Sequence, residues 1–200
     1  MKKSLLFALL TLAASCVQLP QFRTGDLVFV AIPDESSSDG ELTYVHAAML
    51  DVDQTGTWIV DATFKHGVDR HPLDTFIADF RRHDGSYPLF EVVRLVDDAD
   101  AASFVENAKR FIGEPYDIEF DPDNGRHYCT ELIYDSYVRG AEHVFDAEPM
   151  TFKNGDGVYP SYWPRIFGRI GAEIPEGKIG TTPRQMRFSD AVTYVGNIQN

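Results

Sequence analysis

Two apolar runs rich in β-forming residues, "TYVHAAMLDV" (43–52) and "TWIVDATF" (57–64), are separated only by "DQTG" (53–56). This pattern constrains the fold more than any other in the chain, because a short glycine-containing turn makes its flanking strands antiparallel neighbours. Alternation along the first strand puts Tyr44, His46 and Ala48 on one face and Val45, Ala47 and Met49 on the other. A histidine in such a strand needs hydrogen-bond partners. Asp61, the polar residue of the second run, can be brought beside it by the hairpin, where a carboxylate would fix the imidazole tautomer and favour its protonated form. Asp51 and Asp53 are alternative acids that fall at the solvent end of the turn. They also imitate the start of a calcium loop, but the twelfth position, which needs a bidentate glutamate, is Ala62.

The rest of the chain extends this frame into one domain. A strand is expected at 27–31 and another at 89–96, giving a sheet of at least four strands, with a short helical turn near "PLDTFIADF". The period then changes to helical: Phe104, Val105, Ala108, Phe111 and Ile112 form one stripe, stopped by Gly113 and Pro115. A second helix starts at Cys129 and ends near Gly140, and the aromatic, proline-rich sequence beyond it has little periodic signal. The formal charge of −13 argues against a nucleic-acid partner.

The first sixteen residues, "MKKSLLFALLTLAASC", have the basic, apolar and small-residue order of a secretory signal peptide ending in a lipobox-like "LAAS" before Cys16. The expectation is residues 1–16 as leader, Cys16 as a lipidation site, and 17–200 as one domain in the bacterial cell envelope, lipid-anchored or otherwise periplasmic or secreted. Cys129 is then the one thiol left in the domain, with no disulfide partner. A helix start stabilises a thiolate through its free amides and dipole, and the cysteine's own N–H can face the oxyanion formed when a carbonyl is attacked. A free cysteine can equally be a small buried hydrophobe. A base decides between these, and His46 is the best placed. His66, His71, His83, His127 and His143 sit among charges or loops and read as solvated, with His127, two residues before Cys129, as a reserve base.

Taken in order, "GDLVF", "VHAAML", "WIVDAT", "GEPYDIEF" and "YCTEL", with the tail "GTTPRQMRFSDAVTYVG", resemble the circularly permuted branch of the papain-like NlpC superfamily, the YiiX/YaeF-like amidases. The likeness covers roughly residues 24 to 140 and the tail. In that branch the histidine strand precedes the cysteine helix, as His46 precedes Cys129 here. The resemblance implies an α+β, circularly permuted papain-like fold, with a central antiparallel sheet or small barrel packed against helices and the nucleophile at a helix N-terminus. It also implies Cys129 as nucleophile, His46 as general base and acid, Asp61 as the third polar residue, often glutamate in relatives, and Tyr116 as a group lining the site or donating to the oxyanion. Glu131 reads as a first-turn helix acid.

The expected activity is cleavage or transfer of an acyl group from an amide or ester through a thioester, on cell-envelope peptides or lipid-linked acyl groups, with no metal or cofactor required. Tyr159, Tyr162, Trp163 and Phe167 could wall a pocket for an acyl chain. The second class of function is a non-catalytic envelope module of the same fold that holds a lipid or peptide. A third is a metal-dependent hydrolase built on His66, His71 and Asp69.

Overall fold

The computed structural model describes residues 21–37 and 39–198. The leader-like segment and Cys16 lie outside the described residues. In chain order the elements are β1 (Leu27–Pro33), β2 (Leu42–Asp53), β3 (Gly56–Thr63), β4 (Gly67–Pro72), α1 (Leu73–Asp79), β5 (Leu89–Leu95), α2 (Ala101–Ala108) and α3 (Cys129–Ser136). They are followed by β6 (Val138–Arg139), β7 (Glu142–His143), β8 (Glu148–Pro149), α4 (Tyr162–Ile170), β9 (Ile179–Gly180), α5 (Pro183–Arg187) and β10 (Val192–Asn197).

Six strands form one antiparallel sheet in the order β10-β5-β1-β2-β3-β4. Strand β1 is continuously apolar because both of its faces are covered. Leu27, Phe29 and Ala31 pack with Phe104 and Val105 of α2 and Leu132 and Ile133 of α3. Val28 and Val30 pack on the other face with Phe76 of α1 and Phe90 of β5. A third apolar cluster, Phe120, Tyr128, Met150, Phe152 and Phe167, joins the approach to α3 with α4.

The expected hairpin is present, with β2 and β3 paired from Met49↔Val60 to Asp53↔Gly56. Asp53 Oδ1 accepts from the N–H groups of Thr55 and Gly56, at 2.7 and 3.2 Å, and so holds the turn. Beyond Met49↔Val60 the two strands continue without pairing to each other, and His46 and Asp61 stand in this splayed part.

The simple alternation expected for β2 fails at one residue. Val30 pairs with His46 and Ala31 with Tyr44, which leaves Val45 as an extra residue, a β-bulge. Tyr44 therefore packs with the α2–α3 side of the sheet, whereas Val45 and Ala48 pack with the α1 side. His46 faces Phe76 and Phe80, with ring centroids at 5.9 and 5.4 Å.

Two element ends also differ from expectation. Helix α2 gives way to a single 3-10 turn at Lys109–Phe111. Helix α3 stops at Ser136, whose hydroxyl donates to the Leu132 carbonyl, and Gly140 instead turns the β6–β7 ribbon with φ +66°. At the sheet edge, Gly67 has φ +69°, and a Cβ there would lie 2.2 Å from the Glu114 carbonyl oxygen. That approach lets the Val68 N–H donate to Glu114 and the Gly113 N–H donate to Val68, at 2.8 and 2.9 Å, so β4 is not a bare edge.

Candidate active site

The start of α3 is fixed by groups distant in sequence. Tyr128, the residue before the helix, is extended at φ −88° and ψ 169°. Its ring stacks on Phe120 at 4.5 Å, and its hydroxyl accepts from the Thr181 N–H at 3.1 Å. Thr130 donates back to the Thr181 carbonyl at 2.9 Å. The Glu131 carboxyl accepts from the Tyr128 N–H at 3.3 Å, which satisfies an amide beside the helix end. Burial pushes the Glu131 carboxyl up to about 8, against the pull of that N–H, so it is largely neutral at pH 7. Glu131 thus holds the expected first-turn position as a hydrogen-bond acceptor more than as a charge.

Cys129 occupies the first position of this helix and is buried. A first-turn amide has no partner within its own helix, so the Cys129 N–H is available to a group bound in front of the thiol. His46 reaches the same point from β2. Its Nε2 lies 2.7 Å from Asp61 Oδ2, and Cys129 is near enough to favour the charged ring. Burial opposes charging the imidazole, but these two partners outweigh it and push His46 up to about 10. The hydrogen bond to Asp61 and the neighbouring Cys129 thus favour an imidazolium at neutral pH.

Asp61 is 1% exposed, and only one of its oxygens is hydrogen-bonded among the described residues. The other, Oδ1, faces His71 Nδ1 at 3.8 Å, beyond hydrogen-bond range. His71 is stacked on Phe76 and only 12% exposed, not solvated as its charged sequence neighbours suggested. Asp51 and Asp53 are engaged elsewhere: Arg70 reaches Asp51 at 2.6 Å and Asp53 at 2.7 Å, and Lys109 reaches Asp51 at 2.8 Å. His127 also departs from the solvated reading. It is buried, stacked on Phe111 at 4.4 Å, and ion-paired with Glu114 and Asp135 at 2.9 and 3.2 Å. Both ring nitrogens thus face carboxylates and not the Cys129 thiol, which leaves His127 poorly suited as its base. His66, His83 and His143 are exposed.

Tyr116 lies on the segment that bridges to His127 ahead of α3. Burial and the nearby Cys129 charge push its phenol well above the ordinary value of 10, so it stays protonated and can donate. Tyr162 of α4 is the second phenol at the thiol: burial and the same charge push it up to about 12. A groove of about 490 Å³ runs in front of His46, walled by Phe64, Phe120, Tyr162, Trp163, Ile166 and Phe167. Of the four aromatics expected to wall a pocket, Tyr162, Trp163 and Phe167 do so; Tyr159 instead stands under Lys153, 5.2 Å from the ring centroid. Phe64, at the end of the second apolar run, and Phe120, in the loop ahead of α3, are wall residues that sequence reasoning missed. Among the described residues no three His, Cys, Asp or Glu side chains converge to hold a metal ion, so His66, His71 and Asp69 do not form a donor set.

Comparison with known proteins agrees with this architecture. The chain is 25% identical over 187 residues, 90% of each chain, to an uncharacterized protein, YiiX, of Escherichia coli strain K12. A crystal structure titled as the metalloprotein YiiX of Escherichia coli O157:H7 superposes with a TM-score of 0.62 at 22% identity, covering 89% of this chain and 98% of that one. The model of the family described as "Permuted papain-like amidase enzyme, YaeF/YiiX, C92 family" matches residues 21–196. With its large antiparallel sheet and mixed α/β build, the chain belongs to this family of permuted papain-like amidases.

Proposed function

We propose that this protein is a cysteine amidase or acyltransferase that works through a thioester on Cys129. The observation that carries the reading is the His46 imidazole, hydrogen-bonded to Asp61 and held charged beside a cysteine at the start of α3. An imidazolium kept charged by Asp61 holds the thiol proton and leaves a thiolate beside His46, which lines the groove. The thiolate attacks the carbonyl carbon of an amide or ester, and the oxyanion takes hydrogen bonds from the Cys129 N–H and the Tyr116 hydroxyl. His46 then gives its proton to the departing amine or alcohol. In the second half it takes a proton from water or another acceptor, which attacks the thioester and frees Cys129.

The apolar groove suits an acyl chain or an apolar side chain next to the scissile carbonyl. Together with the leader-like first sixteen residues and Cys16, this supports an exported, lipid-anchored enzyme acting on cell-envelope peptides or lipid-linked acyl groups.

The test is alkylation of Cys129 by iodoacetamide at pH 7. Rapid labelling that slows at least 10-fold in His46→Ala, with both proteins folded, is the expected outcome, followed by burst release from acyl amides and esters. An inert Cys129 in a folded protein, or labelling indifferent to His46, would overturn catalysis by this pair and leave a binding module of the same fold.

A further inference from the structure

Behind the apolar groove lies a second, larger cavity of about 630 Å³ between the end of α1 and the outer face of α4. The two share Val45, Asp79, Phe80, Tyr162 and Ile166 as a common border, so they adjoin along these residues. Its wall carries Arg81, Arg82, Arg165 and Arg169. In a chain of formal charge −13 this is an unusual concentration of positive charge. Arg165 and Arg169 are one helical turn apart on α4 and project from the same face, while Trp163 and Phe167 of that helix line the groove.

These four guanidinium groups differ from most others in the molecule. Arg23, Arg70, Arg94, Arg139, Arg184 and Arg187 each lie within ion-pair distance of a carboxylate, at 2.6 to 3.9 Å. Among the described residues none of the four chamber arginines has such a partner, and Arg165 makes only a contact over the Tyr162 ring at 5.8 Å. The carboxylates of the chamber do not neutralise them. Asp79 is bound by Lys65 at 3.0 Å, and Asp34 accepts from Ser36 and Asn154 at 2.9 and 3.0 Å. Asp34 and Glu35 are the carboxylates of this wall without an ion-pair partner among the described residues, two negative charges against four guanidinium groups. These exposed guanidinium groups, without ion-pair partners and gathered around a cavity that adjoins an apolar groove, are placed to bind an oxyanion by forked hydrogen bonds.

Resting on the reading of Cys129 as the nucleophile of the groove, we infer that the substrate is an anionic amphiphile. Its apolar part lies along Phe120, Trp163 and Phe167, and its phosphate or carboxylate group is held by Arg81, Arg82, Arg165 and Arg169. The enzyme then selects for the headgroup as well as for the acyl portion, and α4 supplies both contacts.

The test is calorimetric titration of the Cys129→Ala protein with three amphiphiles of the same dodecyl length, below their micelle concentrations: dodecyl phosphate, N-lauroylglutamate and neutral monolauroylglycerol. At least one anion should bind 10-fold or more tighter than the neutral lipid, and the preference should fall to about parity in Arg165→Gln/Arg169→Gln and in Arg81→Gln/Arg82→Gln. Tighter binding of dodecyl phosphate assigns a phosphate headgroup, and tighter binding of N-lauroylglutamate assigns a carboxylate; either order supports the site. Equal affinity for all three, or a preference that survives both double variants, overturns it. Because the titration needs no turnover, it stands or falls separately from the alkylation test of Cys129.

Discussion

At the residue scale the reactive group is an imidazole whose charge is set by its neighbours. Asp61→Asn keeps the shape of the acid and removes its charge, so His46 should titrate well below its present value of about 10. Followed by NMR of the ring protons, this downward shift should accompany a loss of turnover on the order of 100-fold or more, the usual consequence of neutralising the acid behind a catalytic histidine. Unchanged titration in Asp61→Asn would remove Asp61 from the site. The pairing of His46 with Asp61 was legible in the sequence for a physical reason: polar groups in apolar strands need partners, and these two are each other's. His127 was misread for the complementary reason. Charged neighbours along the chain suggested solvent, whereas Glu114 and Asp135 enclose the ring and make its burial tolerable.

Among the elements, α3 depends on a clamp from the far end of the chain. A Cβ on Gly180 would sit 2.7 Å from the Tyr128 hydroxyl and 3.0 Å from the Met150 sulfur. Gly180→Ala must therefore push Tyr128 away from the Thr181 N–H, and should cost about 1–3 kcal/mol in urea unfolding while slowing alkylation of Cys129. Wild-type behaviour in both would mean that the clamp does not position the thiol. The hairpin and the starts of α2 and α3 followed from turn chemistry and period, but α4 did not. Pro164 and Gly168 interrupt its sequence, although Tyr162, Trp163, Ile166, Phe167 and Ile170 keep helical spacing and a proline is tolerated in a first turn. The bulge at Val45 escaped detection because alternation gives no sign of an inserted residue, and it alone moved Tyr44 to the opposite face.

For the whole molecule, the buried titratable groups of the site set the pH range of the fold. His46 is raised from 6.5 to about 10, so its contribution is complete below 6.5 and is lost as pH climbs through 10. Glu131, raised from 4.5 to about 8 chiefly by burial, likewise favours the fold while protonated, and that support drains away between those values. On the acid side, despite the opposing effect of burial, hydrogen bonds from Ser36 and Asn154 hold the Asp34 carboxyl below 3.8, so its support disappears as pH falls through that region. The urea midpoint should peak near about pH 5 and decline toward 10, with Glu131→Gln flattening the section between 4.5 and 8. Equal slopes in the two proteins would show that Glu131 is not the group responsible. The chain order adds a consequence in time. Strands β1 to β5 precede α3, and the Thr181 clamp and β10 follow it, so a chain folding from its N-terminal side assembles the base and its acid while the thiol is still unmade. On the proposed reading the nucleophile is armed last, and a nascent chain carries a base with nothing to activate.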